Sequence, residues 1–385
     1  MTATRIRIGL DSNESPFDLP APLKENVLDR LRTIPFNKYP QALAATLRQT
    51  IASRMGVDDT QVTLGNGLDE VIHIIIQTFG PGRMIIAQKP TFTMYEVAAL
   101  AAGAGYRGVA LGEGLRLGVT EIIEEANAEM DSATGTAAGA WAASGNGCPM
   151  VILCNPHNPT GGRLSEAEIE AVLRATQALV VVDEAYVEFA GGSVLPLLAK
   201  YDRLVVLRTM SKAFGLAGVR VGYSVSSPGV AAELARVKQP FNLDSLALVI
   251  AQTALQNDAY CKEAVARIVE ERTRLTQRLS CIPGVTCLPS YANFILFRTE
   301  LAETAEVHGA LRLRGIAVRM FPGEPMLRGY LRVSCGTREE DDMFLAALES
   351  VMRNLRSAQT SRYSGVKDGD RDARPQAGPS TSKDF

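Results

Sequence analysis

Leu179-Val180-Val181-Val182-Asp183-Glu184-Ala185-Tyr186 opens with four apolar residues, three of them β-branched, and then meets a carboxylate. A half-buried strand alternates apolar and polar residues. An unbroken apolar run belongs to a strand covered on both faces, which is the condition of a parallel sheet. The same reading applies to Arg83–Ala87, Pro149–Cys154, Arg203–Arg208 and Val219–Val225. Helical stretches lie between several of these runs. Ser165–Thr176 is the clearest, because Ser165 with Glu168 three residues on makes a capping box. The expected fold class is α/β: a large domain with a mostly parallel mixed sheet sandwiched by helices.

Past about Leu243 the pattern changes. A long helical region is expected from near Ser245 to Leu279, broken around Asn257–Asp258 and stopped by Ile282-Pro283-Gly284. Short strands follow at Asn293–Arg298, Ile316–Met320 and Tyr330–Ser334, with a helix between the first two and another over Glu339–Arg353. This reads as a smaller α+β domain. The resulting division is a segment 1–28 joining the small domain, a large domain 29–244, an interdomain helix and small domain 245–356, and a polar tail 357–385 expected to be disordered. Within the large domain, 126–147 is rich in Ala, Gly, Ser and Thr and reads as a low-complexity surface loop, entered by a helix over Thr120–Met130.

Composition narrows the function classes. The chain has 385 residues with 40 basic and 42 acidic side chains, so no charge excess points to nucleic acid. No stretch approaches the ~20 apolar residues that cross a bilayer. The opening MTATRIRIGLDSNE has no apolar core of signal length, so export is not expected. Six cysteines, none in Cys-x-x-Cys, suit a reducing compartment, and a cytoplasmic location is expected. Only three histidines occur, with no paired spacing, so no bound metal is expected. Gly103-Ala-Gly105-Tyr-Arg-Gly108 fits a dinucleotide fingerprint but lacks its context. Tyr95–Ala102 before it looks helical and Gly108–Leu111 looks like a strand, the reverse of what that motif needs.

Three constellations sit where apolar strands end, the edge at which open α/β sheets hold ligands. Asn155-Pro-His-Asn158-Pro-Thr-Gly161 is a turn stiffened by two prolines that holds Asn158 as a hydrogen-bonding group. Asp183 ends its strand as a carboxylate that is costly to bury without a cationic partner. Tyr186, three residues on, can share the same pocket. A plain helix cap is the competing role for Asp183. The strand before Met210 leads into Ser211-Lys212-Ala-Phe-Gly215-Leu-Ala-Gly218-Val-Arg220. A lysine at an apolar strand end is placed for burial, which lowers its pKa and makes it a nucleophile able to form a Schiff base. Ser211 and Arg220 are suited to a phosphate. Together these are the groups that a pyridoxal phosphate enzyme requires: an amine for the aldehyde, a carboxylate for the ring nitrogen and a grip on the phosphate.

In this order, Asn-Pro-x-Asn-Pro-Thr-Gly, Asp-Glu-Ala-Tyr and Ser-Lys-Ala-Phe-Gly-Leu-Ala-Gly-x-Arg resemble class II pyridoxal-phosphate aminotransferases, and among them the histidinol-phosphate aminotransferases. The resemblance runs from about Leu10 to Val351. It includes Asp11-Ser-Asn13-Glu14, Lys38-Tyr39-Pro40, Gly65-Asn-Gly67-Leu-Asp69-Glu70, Pro90-Thr-Phe92-Thr-Met-Tyr95, Pro240-Phe-Asn242, Ala292-Asn293-Phe294 and Leu331-Arg332-Val-Ser-Cys-Gly336-Thr. It implies the aspartate-aminotransferase-like fold of pyridoxal-phosphate transferases and pyridoxal 5'-phosphate as cofactor. It further implies that Lys212 carries that cofactor and shuttles the proton, that Asp183 pairs with the ring nitrogen, and that Asn158 and Tyr186 bond the ring oxygen. Phe92 would stack on the ring. Leu68 and Asp69 (through their backbone), Ser211 and Arg220 would hold the phosphate. Tyr39 would reach the phosphate of a neighbouring subunit, which implies a homodimer with a shared active site. Arg332 would take the anionic end of each substrate, Arg319 would be a second phosphate arginine, and Asn13 would line the substrate pocket.

The implied reaction is histidinol phosphate plus 2-oxoglutarate giving imidazole-acetol phosphate plus glutamate, a ping-pong step of histidine biosynthesis. Only ten residues precede Asp11 and none is tyrosine, so the arm with which family members help to hold the substrate phosphate has no counterpart here. Either the start of the sequence is short, or the substrate is held differently. A related aminotransferase of aromatic amino acids or another small amine, and a phospho-amino-acid decarboxylase on the same scaffold, are the alternatives. A non-catalytic pyridoxal-phosphate-binding protein is more remote, since Lys212 is present and a basic DNA-binding domain is not.

Overall fold

The structure, a computed structural model, describes residues 6–132, 148–300 and 303–367. Seven strands form the large sheet in the spatial order Val62–Asn66, Val221–Ser226, Leu204–Thr209, Leu179–Asp183, Met150–Cys154, Met84–Lys89 and Gly105–Ala110. Only Val221–Ser226 runs against its neighbours, so the sheet is mixed but mostly parallel, as the unbroken apolar runs require. Successive side chains leave the sheet on opposite faces. Val151, Leu153, Val180, Val182 and Val206 enter one core with Ile122, Ile169 and Val172 from helices on that side. Ile152, Val181, Val205 and Leu207 enter the other, packed by helices Gly67–Phe79 and Ser245–Gln256. Helix Gly67–Phe79 buries Leu68, Val71, Ile72, Ile74, Ile75, Ile76 and Phe79. Each large apolar side chain so removed from water contributes roughly 1.5–3 kcal/mol, enough to override the modest helix preference of four isoleucines.

A third core gathers Ile295, Phe297, Leu331 and Val333 from an antiparallel four-stranded sheet with Val307, Leu311, Phe344 and Leu348 from two helices. Ile8 and Leu10 join this core, and Ile8–Gly9 pairs in parallel with Ile316–Ala317. The long helical region divides into Ser245–Gln256 and Ala259–Ser280 at Asn257-Asp258, where expected. The Ser165 capping box forms, with the hydroxyl accepting from Glu168 N–H.

Three strand readings are corrected. The run expected as Val219–Val225 begins only at Val221, because Arg220 adopts φ +58 and breaks the extended backbone. Ile316–Met320 is two short strands: Ile316–Ala317 pairs with the N-terminal segment and Arg319–Met320 pairs with Tyr330–Ser334. The edge strand over Gly108–Leu111 is longer, Gly105–Ala110, since the glycines that weakened its signal are accommodated beside Met84 and Lys89. Val62–Asn66 carried no strand expectation; its Gly65-Asn66 ending resembles a turn, yet five ladder positions with Val221–Ser226 hold it. The helix expected over Glu339–Arg353 extends over Arg338–Lys367, into the stretch read as a tail, and 368–385 lie outside the described residues. The low-complexity loop begins inside helix Thr120–Ser132, and its remainder, 133–147, is likewise outside them. No helix among the described residues is long and apolar enough to cross a membrane.

Candidate active site

Parallel strands deliver their carboxyl ends to one edge of the sheet. Cys154 is in register with Asp183, and Asp183 with Leu207, so the loops after Met150–Cys154, Leu179–Asp183 and Leu204–Thr209 emerge side by side. The one reversed strand is what completes the site. Val221–Ser226 starts at this edge, so the loop 210–220 returns Arg220 to where Ser211 and Lys212 left the sheet. Asn66 pairs with Val221, which brings the start of helix Gly67–Phe79 to the same place.

One cavity at this edge is lined by Leu68, Asp69, Phe92, Asn158, Asp183, Tyr186, Ser211, Lys212 and Arg220, together with Cys154, Ala185 and Thr209. Nine of the ten residues expected to hold a cofactor therefore meet. The tenth, Tyr39, lies elsewhere on the surface, 78% exposed and stacked on Phe241 with ring centroids 4.6 Å apart.

Asp183 is buried. One of its oxygens accepts the Tyr95 hydroxyl at 2.6 Å and the other accepts the Ala185 N–H at 3.0 Å. The competing helix-cap role is not what Asp183 plays: the short helix that follows, Val187–Phe189, has Tyr186 at its N-cap, and the Ala185 contact is a local turn that uses one oxygen only. No lysine or arginine is among its partners. Burial pushes the carboxyl up to about 6, against the two hydrogen bonds that favour its charged form. A buried carboxylate beside a cavity and without a cation is suited to a ligand that brings a cationic N–H.

Lys212 is half-buried, with Nζ donating to the Ser12 carbonyl at 3.2 Å and lying 5.8 Å from the Tyr186 ring centroid. Burial, aided by the positive charge of Arg332, pulls its pKa down to about 8. Across the cavity, the first turn of helix Gly67–Phe79 presents free backbone N–H groups, with Arg220 alongside. Arg220 donates to Asp69 Oδ2 at 2.9 Å. Gly67 sits at φ +74 against the Arg220 guanidinium, where a Cβ would overlap it. Gly222 lets the strand pass under the helix start; a Cβ there would lie 2.6 Å from Leu68 N. The result is a shallow cup of N–H donors and one guanidinium, suited to a phosphate.

The small sheet supplies the opposite wall. Arg332 is buried and donates to Asn158 Oδ1 at 2.7 Å and to the Asp11 carbonyl at 2.8 Å, while its Nε has no hydrogen-bond partner. Its guanidinium lies 5.1 Å from the Phe294 ring centroid and 5.8 Å from that of Phe321. Burial, reinforced by Arg319, lowers its pKa to about 10, so it remains charged near neutrality. Arg319 is exposed and stands directly across the strand pair from Arg332. Among the described residues neither arginine forms an ion pair, so the wall offers two cations to an anionic ligand. Asn13, at φ +54, donates to the Tyr186 hydroxyl at 3.0 Å and is held by Ser334 and Asn293. Burial raises the Tyr186 phenol to about 12.

Tyr95, Thr209, Ser334 and Asn293 belong to the site without having been assigned a role from sequence. Tyr95 carried a usable signal, since it follows Phe92 by three residues and the turn entering helix Met94–Ala101 brings the two rings together. Ser334 and Asn293 carried none, because their partner is Asn13, about 300 positions away.

The chain as a whole is similar to known proteins. The model of the family described as aminotransferase class I and II matches residues 5–348. The histidinol-phosphate aminotransferase of Caldanaerobacter subterraneus subsp. tengcongensis is 36% identical over 344 residues, 89% of this chain and 92% of the relative. That of Thermococcus kodakarensis is 38% identical over 343 residues, again 89% of this chain and 92% of the relative. The crystal structure of histidinol-phosphate aminotransferase from Sinorhizobium meliloti in complex with pyridoxal-5'-phosphate superimposes with a TM-score of 0.80. It is 25% identical and covers 91% of this chain and 92% of its own. The family match spans every loop at the cavity edge, and with it the resemblance read from the three strand-end motifs is borne out: the chain belongs to the aminotransferase class I and II family.

Proposed function

We propose that this chain is a pyridoxal 5'-phosphate-dependent aminotransferase that takes histidinol phosphate as amino donor and 2-oxoglutarate as acceptor, in two half-reactions. The observation that carries the substrate class is the arginine pair. Arg332 is buried with neutral partners only and Arg319 stands across the strand from it, on the wall facing Lys212. Two adjacent cations without counter-ions suit a donor with a phosphate and an acceptor with carboxylates. Relatives named histidinol-phosphate aminotransferase at 36–38% identity support the same reading.

The residues fit the cofactor. Asp183 is a buried carboxylate open to a cationic ring N–H, the Gly67–Asp69 turn with Arg220 and Ser211 suits its phosphate, and Lys212 suits its aldehyde. When bound, pyridoxal 5'-phosphate supplies an electron sink for the carbanion formed at the substrate's amino-bearing carbon. The chain supplies everything else. With a pKa near 8, Lys212 is partly a free amine at neutral pH, able to act as nucleophile and to carry a proton on Nζ. Asn158 links the two walls, since it lines the cavity and its Oδ1 accepts from Arg332. Tyr186, fixed by Asn13, keeps its hydroxyl proton and presents a neutral donor. Asp183, held by Tyr95 and Ala185, would hold the ring nitrogen of the cofactor and keep a proton on it.

The reading includes a homodimer. Phe36 and Tyr39 are 76% and 78% exposed, and the Tyr39–Phe241 stack stands clear of its own chain's cavity. A second copy would cover this patch and receive Tyr39 at its phosphate cup. A cytoplasmic location is supported by six free cysteines.

The test is absorbance of the purified, cofactor-loaded protein. Histidinol phosphate added without any keto acid is expected to bleach the band of the lysine-bound cofactor, and 2-oxoglutarate to restore it. A band indifferent to histidinol phosphate but bleached by phenylalanine would move the substrate to an aromatic amino acid. Carbon dioxide release without an amino acceptor would move the chemistry to decarboxylation. A Lys212→Ala variant that keeps the band and full turnover would refute the assignment altogether.

A further inference from the structure

Nothing so far explains why a tyrosine is buried against the buried carboxylate. Tyr95 is fully buried, and its hydroxyl lies 2.6 Å from Asp183 Oδ2, a short contact of the kind made to an ionised acceptor. Because burial drives its own ionisation far upward, Tyr95 is a neutral donor at every working pH. The ring is fixed from outside. Tyr95 is the second residue of helix Met94–Ala101, its N–H reaches the Phe92 carbonyl, and its ring meets Phe92 edge-on with centroids 5.7 Å apart. One turn of chain therefore carries both the aromatic side chain that lines the cavity and the donor that grips the carboxylate below it.

The surroundings of Asp183 make that donor consequential. The titratable groups beside it are Asp69 from helix Gly67–Phe79, Cys154 from the adjacent strand, Glu184 and Tyr186 from its own loop, and Tyr95, with Lys212 and Arg220 lining the same cavity. None of those beside it is a cation. Asp69 and Glu184 are negative and oppose its ionisation, while Glu184 is already engaged by Arg208. Among the described residues two hydrogen bonds favour the carboxylate, and the Ala185 N–H is a backbone group that no side-chain replacement removes.

We propose that Tyr95 is a positioning residue that holds Asp183 ionised and aimed into the cavity, so that the proton shared between this carboxylate and the cofactor's ring nitrogen resides on the nitrogen. This rests on the proposed cofactor. It adds a residue of this chain that touches neither cofactor nor substrate and yet sets how strongly the ring withdraws electrons. Without the hydroxyl, the carboxyl's proton affinity rises about 10- to 100-fold, the effect of losing one hydrogen bond to a charged group in a buried site. The shared proton then moves from nitrogen to oxygen.

The test is Tyr95→Phe, which deletes one oxygen and keeps the ring. The wild-type and variant proteins are loaded with cofactor labelled with nitrogen-15 in the ring, and the nitrogen shift is read across pH. The wild type is expected in the pyridinium range and the variant displaced toward neutral pyridine. The donor half-reaction is expected to slow about 10- to 100-fold with substrate affinity held within about twofold. In the unloaded proteins, carbon-13 detection of the Asp183 carboxyl is expected to place the variant's titration about one to two pH units above the wild type's. Should Tyr95→Phe fold poorly, 3-fluorotyrosine at position 95 keeps ring and hydroxyl, strengthens the donor, and is expected to move both signals the opposite way. A folded variant with wild-type nitrogen shift and carboxyl titration overturns the role of Tyr95 alone. A wild type that acquires no lysine-dependent band overturns the cofactor reading beneath it, and the carboxyl titration still reports on the contact.

Discussion

Replacing Arg319 by glutamine separates what this residue costs the empty protein from what it gives the substrate. Arg319 and Arg332 occupy directly opposed positions on Arg319–Met320 and Tyr330–Ser334, so their side chains leave the sheet on the same face. Like charges in that arrangement destabilise by roughly 0.2–1 kcal/mol. Arg319 is exposed and screened by salt, so the lower part of that range applies. Removing it is expected to raise the unfolding midpoint of the unloaded protein slightly, by at most about 2 °C for a chain of this size. The gain should vanish at high salt. Binding moves the other way. A charge-assisted contact to phosphate is worth about 1.5–3 kcal/mol, so KM for histidinol phosphate is expected to rise roughly 10- to 100-fold. The half-reaction with glutamate, whose α-carboxylate is assigned to Arg332, should change less than about threefold. Thermal melts at two ionic strengths and separate single-turnover measurements of each half-reaction provide the comparison. A lower midpoint, or a glutamate half-reaction weakened in step with the phosphorylated donor, would refute the division of labour between the two arginines.

Lys212 gives the pH prediction. Its folded pKa of about 8 lies below that of an ordinary lysine, so between about pH 8 and 10.4 the unfolded chain binds the extra proton. Stability attributable to this residue therefore rises with pH across that window. Lys212→Met, compared with wild type in denaturant titrations of the unloaded proteins, should be most stabilising below pH 8 and lose that advantage toward pH 10. A constant difference would mean that Lys212 is not held desolvated. Gly67→Ala probes the phosphate cup: at φ +74 and against the Arg220 guanidinium, the added methyl strains the turn and displaces the arginine. Cofactor loss on dialysis should increase at least about tenfold while the fold persists, since one charge-assisted contact is lost; unchanged retention would show that the cup does not use Arg220.

Much of the site was legible because each of its motifs is a local object. Asp183, Asn158 and Lys212 each follow an apolar strand within a few residues, and parallel strands leave their carboxyl ends no choice of edge. Burial at those ends could be inferred from the strand residues alone, and with it the perturbed pKa values of Asp183 and Lys212. The fold class followed from the same runs, since a strand without alternation must be covered on both faces. Boundaries fared less well wherever glycine or a positive φ intervened, as at Arg220 and at Gly65-Asn66.

What only the tertiary structure decided is which distant groups complete each charge. Tyr95 reaches Asp183 across 88 positions, Asn13 reaches Tyr186 across 173 and Arg332 reaches Asn158 across 174. A hydrogen bond of about 3 Å depends on the packing of whole elements against one another, and neither periodicity nor spacing along the chain encodes that packing. The sequence by itself determined the chemical kinds of groups and the sheet edge at which they gather. The packing of the cores determined which of them touch, and so which carboxylate is gripped by a buried hydroxyl and which arginine is left with neutral partners.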